Sequence, residues 1–376
     1  MRDLVEIGMG RSARRAYNLQ QIEIVPSRRT RTSKEVSTAW QLDAYRFEIP
    51  LITHPTDAVV SPTTAVKIGQ SGGLGVLNAE GLWSRHSDAE AVLAQVVDAA
   101  NDEDPTAVVR LLQRLHTAPI QPDLLGEVLR RVRDAGVTVA ARVSPQRARE
   151  LMPYLLGAGV EILFVQGTII SAEHVSHADA EPLNLKQFIN DLDVPVVAGG
   201  VGDYRTAMHL MRTGAAGVIV GYGESLATTT DSVLGIGVPM ATAIVDAAAA
   251  RRDYLDETGG RYVHVIADGG IFSSGDIAKA IACGADAVML GEQLAEADES
   301  PAAGLYWTNS AAHPSLPRSD VTGLETSGRS LETVLFGPAD SPDGTQNLFG
   351  ALRRALAKTG YSDLKEFQRV GLTIRR

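Results

Sequence analysis

Three stretches combine carboxylates, glycines and hydroxyls in patterns suited to recognising an anion. Ala267-Asp268-Gly269-Gly270-Ile271 sets a carboxylate before two glycines, which leave backbone N–H groups open to close approach by an anion. Met289-Leu290-Gly291-Glu292 ends a second apolar run in glycine. Gly221-Tyr222-Gly223-Glu224-Ser225-Leu226-Ala227-Thr228-Thr229-Thr230 is rich in glycine and hydroxyls, and Gly235-Ile236-Gly237-Val238-Pro239 follows it. A phosphorylated ligand is the expectation. The same glycines equally suit tight turns, so both readings stand at this level. Cys283 is the single cysteine, which excludes an internal disulfide framework and a Cys-based zinc site, and no metal site is expected. At a helix end it reads as a packed small hydrophobe. His54 and His174 lie near strand tips and could be site groups or structural ones, and His313 precedes Pro314 in a late segment.

The elements that must carry these residues form a repeat. From about residue 49, short β-branched runs alternate with amphipathic stretches, the pattern of βα units and a parallel sheet. Eight strands are predicted: Ile49 to Thr53, Gly75 to Asn78, Val137 to Val143, Ile162 to Gln166, Val194 to Ala198, Gly217 to Gly221, Tyr262 to Ala267 and Ala287 to Leu290. Helices such as Asp203 to Arg212 and Ser274 to Ala282 follow them. Glycines punctuate the helix ends in Asp134-Ala135-Gly136-Val137, Gly157-Ala158-Gly159-Val160, Thr213-Gly214-Ala215-Ala216 and Cys283-Gly284-Ala285-Asp286. The expected fold is α/β, a (β/α)8 TIM barrel forming one domain over residues 1–376, with its working face at the C-terminal ends of the strands. Phosphate sites in such barrels commonly form from the last two strand loops, which here carry Asp268 and Gly291. Three stretches fall outside the repeat. An N-terminal arm carries Arg28, Arg29, Arg31 and Lys34 and reads as solvated or subunit-facing. Asp88 to Leu129 is a helical insertion after the second strand. The long segment after the eighth strand, Pro301 to Gly344, is placed for a flap-like cover over residues 301–346 or for a disordered connector.

Composition narrows the function. With 44% hydrophobic and 21% charged residues the chain can bury a large core. Its net charge of -10, from 35 Lys+Arg against 45 Asp+Glu, disfavours phosphate backbones and anionic membranes as partners. No run approaches the ~20 apolar residues of a membrane span, and Met1-Arg2-Asp3-Leu4-Val5-Glu6 lacks the apolar centre of a signal peptide. A cytoplasmic protein is expected.

The order of motifs resembles the IMP dehydrogenase/GMP reductase family from near residue 17 to near residue 368. The similarity runs through Tyr17-Asn18-Leu19, Ile24-Val25-Pro26, Ile49-Pro50-Leu51 with Asp57, and Gly72-Gly73-Leu74-Gly75. It continues through Val197-Ala198-Gly199-Gly200-Val201, the Asp268 and Gly291 stretches, and Phe349-Gly350-Ala351-Leu352-Arg353. The chain looks most like the short IMP-dehydrogenase-related paralogues that lack the regulatory CBS pair, because the 88–129 insertion is too short to hold one.

The resemblance implies a nicotinamide-dependent oxidoreductase acting on a purine nucleotide monophosphate. The ligand's phosphate would lie at the glycine loops of strands seven and eight, with its ribose diol on Asp268. The substrate set so implied is Thr53, Ser225, Asp268, Gly269, Gly270 and Gly291. NAD or NADP would meet the residues after strand four, where this chain has Gln166, Gly167 and Thr168 in place of the family's Asp-Ser-Ser. Family members attack the purine with a cysteine in the sixth loop. Ungapped alignment of that loop puts Thr228 at its place, while Thr230 matches a threonine that assists the chemistry; the catalytic positions are thus Thr228 and Thr230. A threonine hydroxyl needs a strong adjacent base, and none stands beside it in the sequence. The phosphate serine of the sixth loop falls on Leu226, and the serine after the strand-eight glycine is Glu292. The family's activating Arg-Tyr pair is missing after Pro301.

Three functions remain: an altered oxidoreductase, a catalytically inactive nucleotide-binding or regulatory paralogue, and an FMN-type barrel lacking a placed Lys or His. By the same resemblance the chain is expected to be a homotetramer or higher homo-oligomer.

Overall fold

The computed structural model describes residues 4–101, 104, 106–172, 174, 182–324, 326 and 328–375. Eight short runs form parallel strands: β1 (Leu51–Thr53), β2 (Val76–Asn78), β3 (Ala140–Val143), β4 (Ile162–Gln166), β5 (Val196–Val201), β6 (Gly217–Glu224), β7 (His264–Gly269) and β8 (Ala287–Leu290). In β4 and β8 every residue is buried, which is why these strands read as continuous apolar runs. Their hydrogen-bonded order is β1-β8-β7-β6-β5-β4-β3-β2. A parallel bridge between Ile52 and Leu74 joins the remaining edges, with the Thr53 N–H donating to the Leu74 carbonyl at 3.0 Å. The chain is a (β/α)8 barrel.

The helices are α1 (Pro62–Gln70), α2 (Ala89–Ala99), α3 (Ala107–Leu115), α4 (Pro122–Asp134), α5 (Ala148–Ala158), α6 (Leu185–Asn190), α7 (Tyr204–Met211), α8 (Thr230–Leu234), α9 (Met240–Thr258), α10 (Ser274–Ala282), α11 (Glu292–Ala295), α12 (Leu331–Phe336), α13 (Leu348–Thr359) and α14 (Leu364–Phe367). Helix α4 shows why they cover the sheet: Leu125, Val128, Leu129 and Val132 recur at three and four residues and are all buried. Gly136, Gly159, Gly214 and Gly284 all take left-handed backbone, with φ of 73°, 87°, 99° and 116°. The sequence punctuation is therefore conformational.

Both α2 and α3 are extra to the barrel repeat. Residues Asn309–Ala312 of the segment after β8 pack on α3, where Gln113 donates to the His313 carbonyl at 2.9 Å. That segment is structured: Leu305–Tyr306 pairs antiparallel with Thr322–Gly323, and α12 follows. Glu325 and Ser327 within it lie outside the described residues, as do Met1, Arg2 and Asp3 of the N-terminus. Residues Leu4–Gly8 and Arg11–Arg14 form a hairpin joined to α9 by the Arg14–Asp246 ion pair. Arg28, Arg29, Arg31 and Lys34 are exposed, and Arg31 donates to the Gly360 carbonyl at 2.7 Å. Among the described residues no helix is long and apolar enough to cross a membrane.

Candidate active site

At the mouth of the barrel the C-terminal ends of β6, β7 and β8 converge on a small polar pocket. It is lined by His54, Gly223, Glu224, Ser225, Asp268, Glu292 and Tyr306, with Gly269 and Gly291 at its edge. Its free volume is about 20 Å³, room for roughly one water. Strand β6 runs to Glu224, three residues past the predicted end at Gly221, and so carries a carboxylate into this pocket. Gly269 and Gly270 have φ of +110° and +66°. A Cβ on Gly269 would lie 2.3 Å from the Glu224 nitrogen, so only glycine lets the two loops meet.

Three carboxyl groups share this space. Asp268 is 2% exposed; burial, then the charge of Glu224, pushes it up to about 8, although Gln166 donates to its Oδ2 at 2.9 Å. Burial lifts Glu224 to about 7, against N–H groups that include Val238 at 3.2 Å. Burial also lifts Glu292 to about 7, despite the Leu226 and Ala227 amides that donate to it. His54 supplies no compensating charge: burial, helped by Arg142, lowers it to about 4, and its Nε2 is 3.9 Å from Asp268. The pocket can therefore exchange protons near neutral pH, but it offers little positive charge to hold a dianion. Among the described residues no group of three or more His, Cys, Asp or Glu is arranged to hold a metal ion.

The hydroxyls are turned to local work. Thr228 donates from Oγ1 to the Gly223 carbonyl at 2.6 Å, and its own N–H donates to Ser225 Oγ at 3.1 Å. No hydrogen bond links Thr228 to a carboxylate among the described residues. Thr230 is buried as the first residue of α8. Thr53 accepts from the Val76 N–H at 2.8 Å and so ties β1 to β2. The Gly270 N–H is spent on the Glu224 carbonyl at 2.8 Å. A Cβ on Gly291 would lie 2.5 Å from the Tyr306 hydroxyl, so the late segment lays a ring directly on the β8 tip.

That segment also crosses the loop after β6. Ser319 bridges Thr228, the Thr229 N–H donates to the Arg318 carbonyl at 2.9 Å, and the Asp320 N–H donates to the Ala227 carbonyl at 2.8 Å. Arg318 reaches Thr168 Oγ1 at 3.2 Å. Gly167 and Thr168 are half-buried at the mouth beside exposed Ile169, whereas Gln166 points inward to Asp268. Cys283 ends α10, and burial pushes its thiol up to about 12, which leaves it inert. His174 is exposed, and His313 accepts Ser315 and Leu316 N–H groups on Nδ1.

Asp268, Ser225, Gly269 and Gly291 are thus brought together; Thr53 and Gln166 serve neighbouring contacts. Sequence reasoning missed Glu224, Tyr306 and Arg318 as members of the mouth. A glutamate ending the apolar run Gly217-Val218-Ile219-Val220, and the Leu305-Tyr306-Trp307 triplet in a polar segment, were the available signals.

Comparison with known proteins agrees with this architecture. The IMP dehydrogenase / GMP reductase domain matches residues 16–313. An uncharacterized oxidoreductase of Mycolicibacterium smegmatis is 66% identical over 374 residues, covering 99% of this chain and 100% of that protein. Inosine-5'-monophosphate dehydrogenase of Thermoplasma acidophilum is 33% identical over 239 residues, 59% of this chain and 47% of that enzyme. A crystal structure of an IMP dehydrogenase/GMP reductase-like protein from Corynebacterium glutamicum superposes with a TM-score of 0.95 at 55% identity, covering 99% of this chain and 98% of that one. With its barrel, its loop order and these matches, the chain belongs to the IMP dehydrogenase / GMP reductase family and is oxidoreductase-like.

Proposed function

We propose that the barrel mouth is an inherited purine nucleotide monophosphate site of the nicotinamide-dependent oxidoreductase type, and that this chain does not use the covalent route. Asp268 is the group for the ribose diol, with Ser225, Gly269, Gly270 and Gly291 around it and Thr53 behind. Thr228 and Thr230 occupy the catalytic positions. The observation that carries the proposal is the state of Thr228: its proton is held by the Gly223 carbonyl, and among the described residues no carboxylate hydrogen-bonds to it to take that proton. NAD or NADP, when bound, supplies the hydride donor or acceptor. Gly167 and Thr168 fit that role as an open lip backed by Arg318, while Gln166 instead holds Asp268.

A specific observation favours the second reading, a catalytically inactive nucleotide-binding or regulatory paralogue: among the described residues the pocket beside Asp268 has room for about one water, so a ligand there needs side chains or the segment over residues 301–346 to move as a flap. A cytoplasmic homotetramer or larger homo-oligomer belongs to the same proposal, with light scattering as its check. Incubating the protein with IMP and NAD, and with GMP and NADPH, while following nicotinamide absorbance tests the chemistry. No turnover is expected from the wild type. Turnover that survives Cys283→Ala would refute the expected inactivity and would require a nucleophile other than a thiol. Thr228→Cys restores a thiol; activity gained by it would place the nucleotide within reach of position 228.

A further inference from the structure

Glu292 is an unusual first residue for a loop that faces an expected phosphate. It opens α11 immediately after the β8 tip and is 7% exposed. Its carboxylate turns across the mouth to the loop after β6, where the Leu226 and Ala227 N–H groups both donate to it. No Lys or Arg forms an ion pair with it among the described residues. The charged and titratable neighbours that act on it or border its pocket are Glu296 capping the end of its own helix, Glu224 on β6, Asp268 and His54 at the strand tips, and the Tyr306 hydroxyl above. Adjacent amides converging on one carboxylate form the kind of concave N–H pair that binds anions elsewhere. Here the anion is part of the chain.

We propose that Glu292 is a built-in occupant of the anion subsite at the barrel mouth, a specificity-determining residue that makes the resting protein refuse phosphate monoester dianions. An incoming phosphate must displace the carboxylate from Leu226 and Ala227, or lie beside it and meet its charge. Ligands without a phosphate at that end escape this competition. Tyr306 reinforces the effect, because its ring lies on Gly291. That the displaced anion is a nucleotide's phosphate rests on the proposed function; that the two amides are already filled does not.

The test uses full-length wild type, Glu292→Ser and the isosteric Glu292→Gln, titrated calorimetrically with inorganic phosphate, IMP and GMP at about pH 8, where the carboxyl is ionised. Wild type is expected to show no binding of inorganic phosphate at millimolar ligand, and IMP and GMP binding weaker than that of the variants. Glu292→Ser should bind phosphate or a nucleotide at least about tenfold more tightly, because a like charge next to a dianion is removed and two amides are freed. Glu292→Gln should show a smaller gain, since the charge goes but the volume stays; it also keeps the proposal testable if the serine variant unfolds. Wild type that binds phosphate or IMP as tightly as the variants overturns the inference while leaving the proposed function standing. Phosphate binding gained by Glu292→Ser without any nucleotide binding supports the inference and sinks the proposed function.

Discussion

At the scale of single residues, the mouth is defined by buried acids more than by nucleophiles. Asp268, Glu224 and Glu292 all have raised pKa values, so the folded state holds protons that the unfolded chain would release. Their contribution to stability is full below the ordinary carboxylate range of about 4 and is lost as pH rises through about 7 to 8. His54 and His264, both lowered to about 4 by burial, work in the other direction, because the unfolded chain binds protons below about 6.5 that the folded one does not. The wild-type profile is therefore mixed, and the clean experiment is a difference. Asp268→Asn removes one titrating carboxyl, so its melting temperature minus that of wild type should rise by several degrees between about pH 5.5 and about pH 8.5. Scanning calorimetry across that range checks it; a flat difference would mean that Asp268 stays ionised. An ionised Asp268 would be the better acceptor for a diol, whereas the protonated form favoured by burial donates one hydrogen bond and accepts others.

At the scale of elements, the helix stops and the strand tips do different work with the same residue. Gly136 and Gly284 both end helices in left-handed backbone, but a Cβ at Gly136 meets nothing within 4 Å, whereas one at Gly284 would sit 2.6 Å from the Ala248 Cβ on α9. Gly136→Ala should thus cost about 1 kcal/mol, the backbone term alone. Gly284→Ala should lose about 1–3 kcal/mol more, because α9 must move to admit the methyl. Urea denaturation of the two variants measures the gap, and equal losses would show that α9 yields freely. Gly269 and Gly291 at the strand tips answer a different need: each is small so that another segment, the Glu224 backbone or the Tyr306 ring, can close on it.

At the scale of the whole molecule, the two ends of the barrel carry different electrostatics. The mouth gathers buried acids with raised pKa values under a tyrosine, and the opposite end holds an ion-pair network that lines a cavity of about 720 Å³. Asp286, which leads into β8, accepts from Arg251 on α9 at 2.7 Å, from the Tyr262 hydroxyl at 2.8 Å and from the Val265 N–H at 2.9 Å, and it pairs with Lys365 on α14. The cations hold its carboxyl well below the usual range despite complete burial. The sign is opposite to that at the mouth: this stability is present above the ordinary aspartate pKa and is lost as pH falls below it. Asp286→Asn leaves Arg251, 7% exposed, as an unpaired buried charge, and should cost about 3–5 kcal/mol at neutral pH, with the difference from wild type shrinking in acid. Chemical denaturation at neutral and acidic pH measures both quantities. Because α14 lies near the C-terminus, the same change should also free the last helix, visible as faster amide exchange over residues 364–367.

The sequence by itself determined the barrel and its punctuation, because both signals are local. A strand buried on two faces must be apolar throughout, and a left-handed helix stop admits little but glycine; all eight strands and four helix-ending glycines could be placed from residue types. It also determined that no thiol stands in the sixth loop, a matter of composition alone. Only the tertiary structure decided what fills the mouth. Glu292 meets Leu226 across 66 positions, and Gln166 meets Asp268 across 102, so no window of sequence contains either contact. The raised carboxyl pKa values are likewise properties of enclosure: the same aspartate and glutamates in water would be ionised, and it is the packing of Tyr306 and the β6 loop around them that withdraws the solvent.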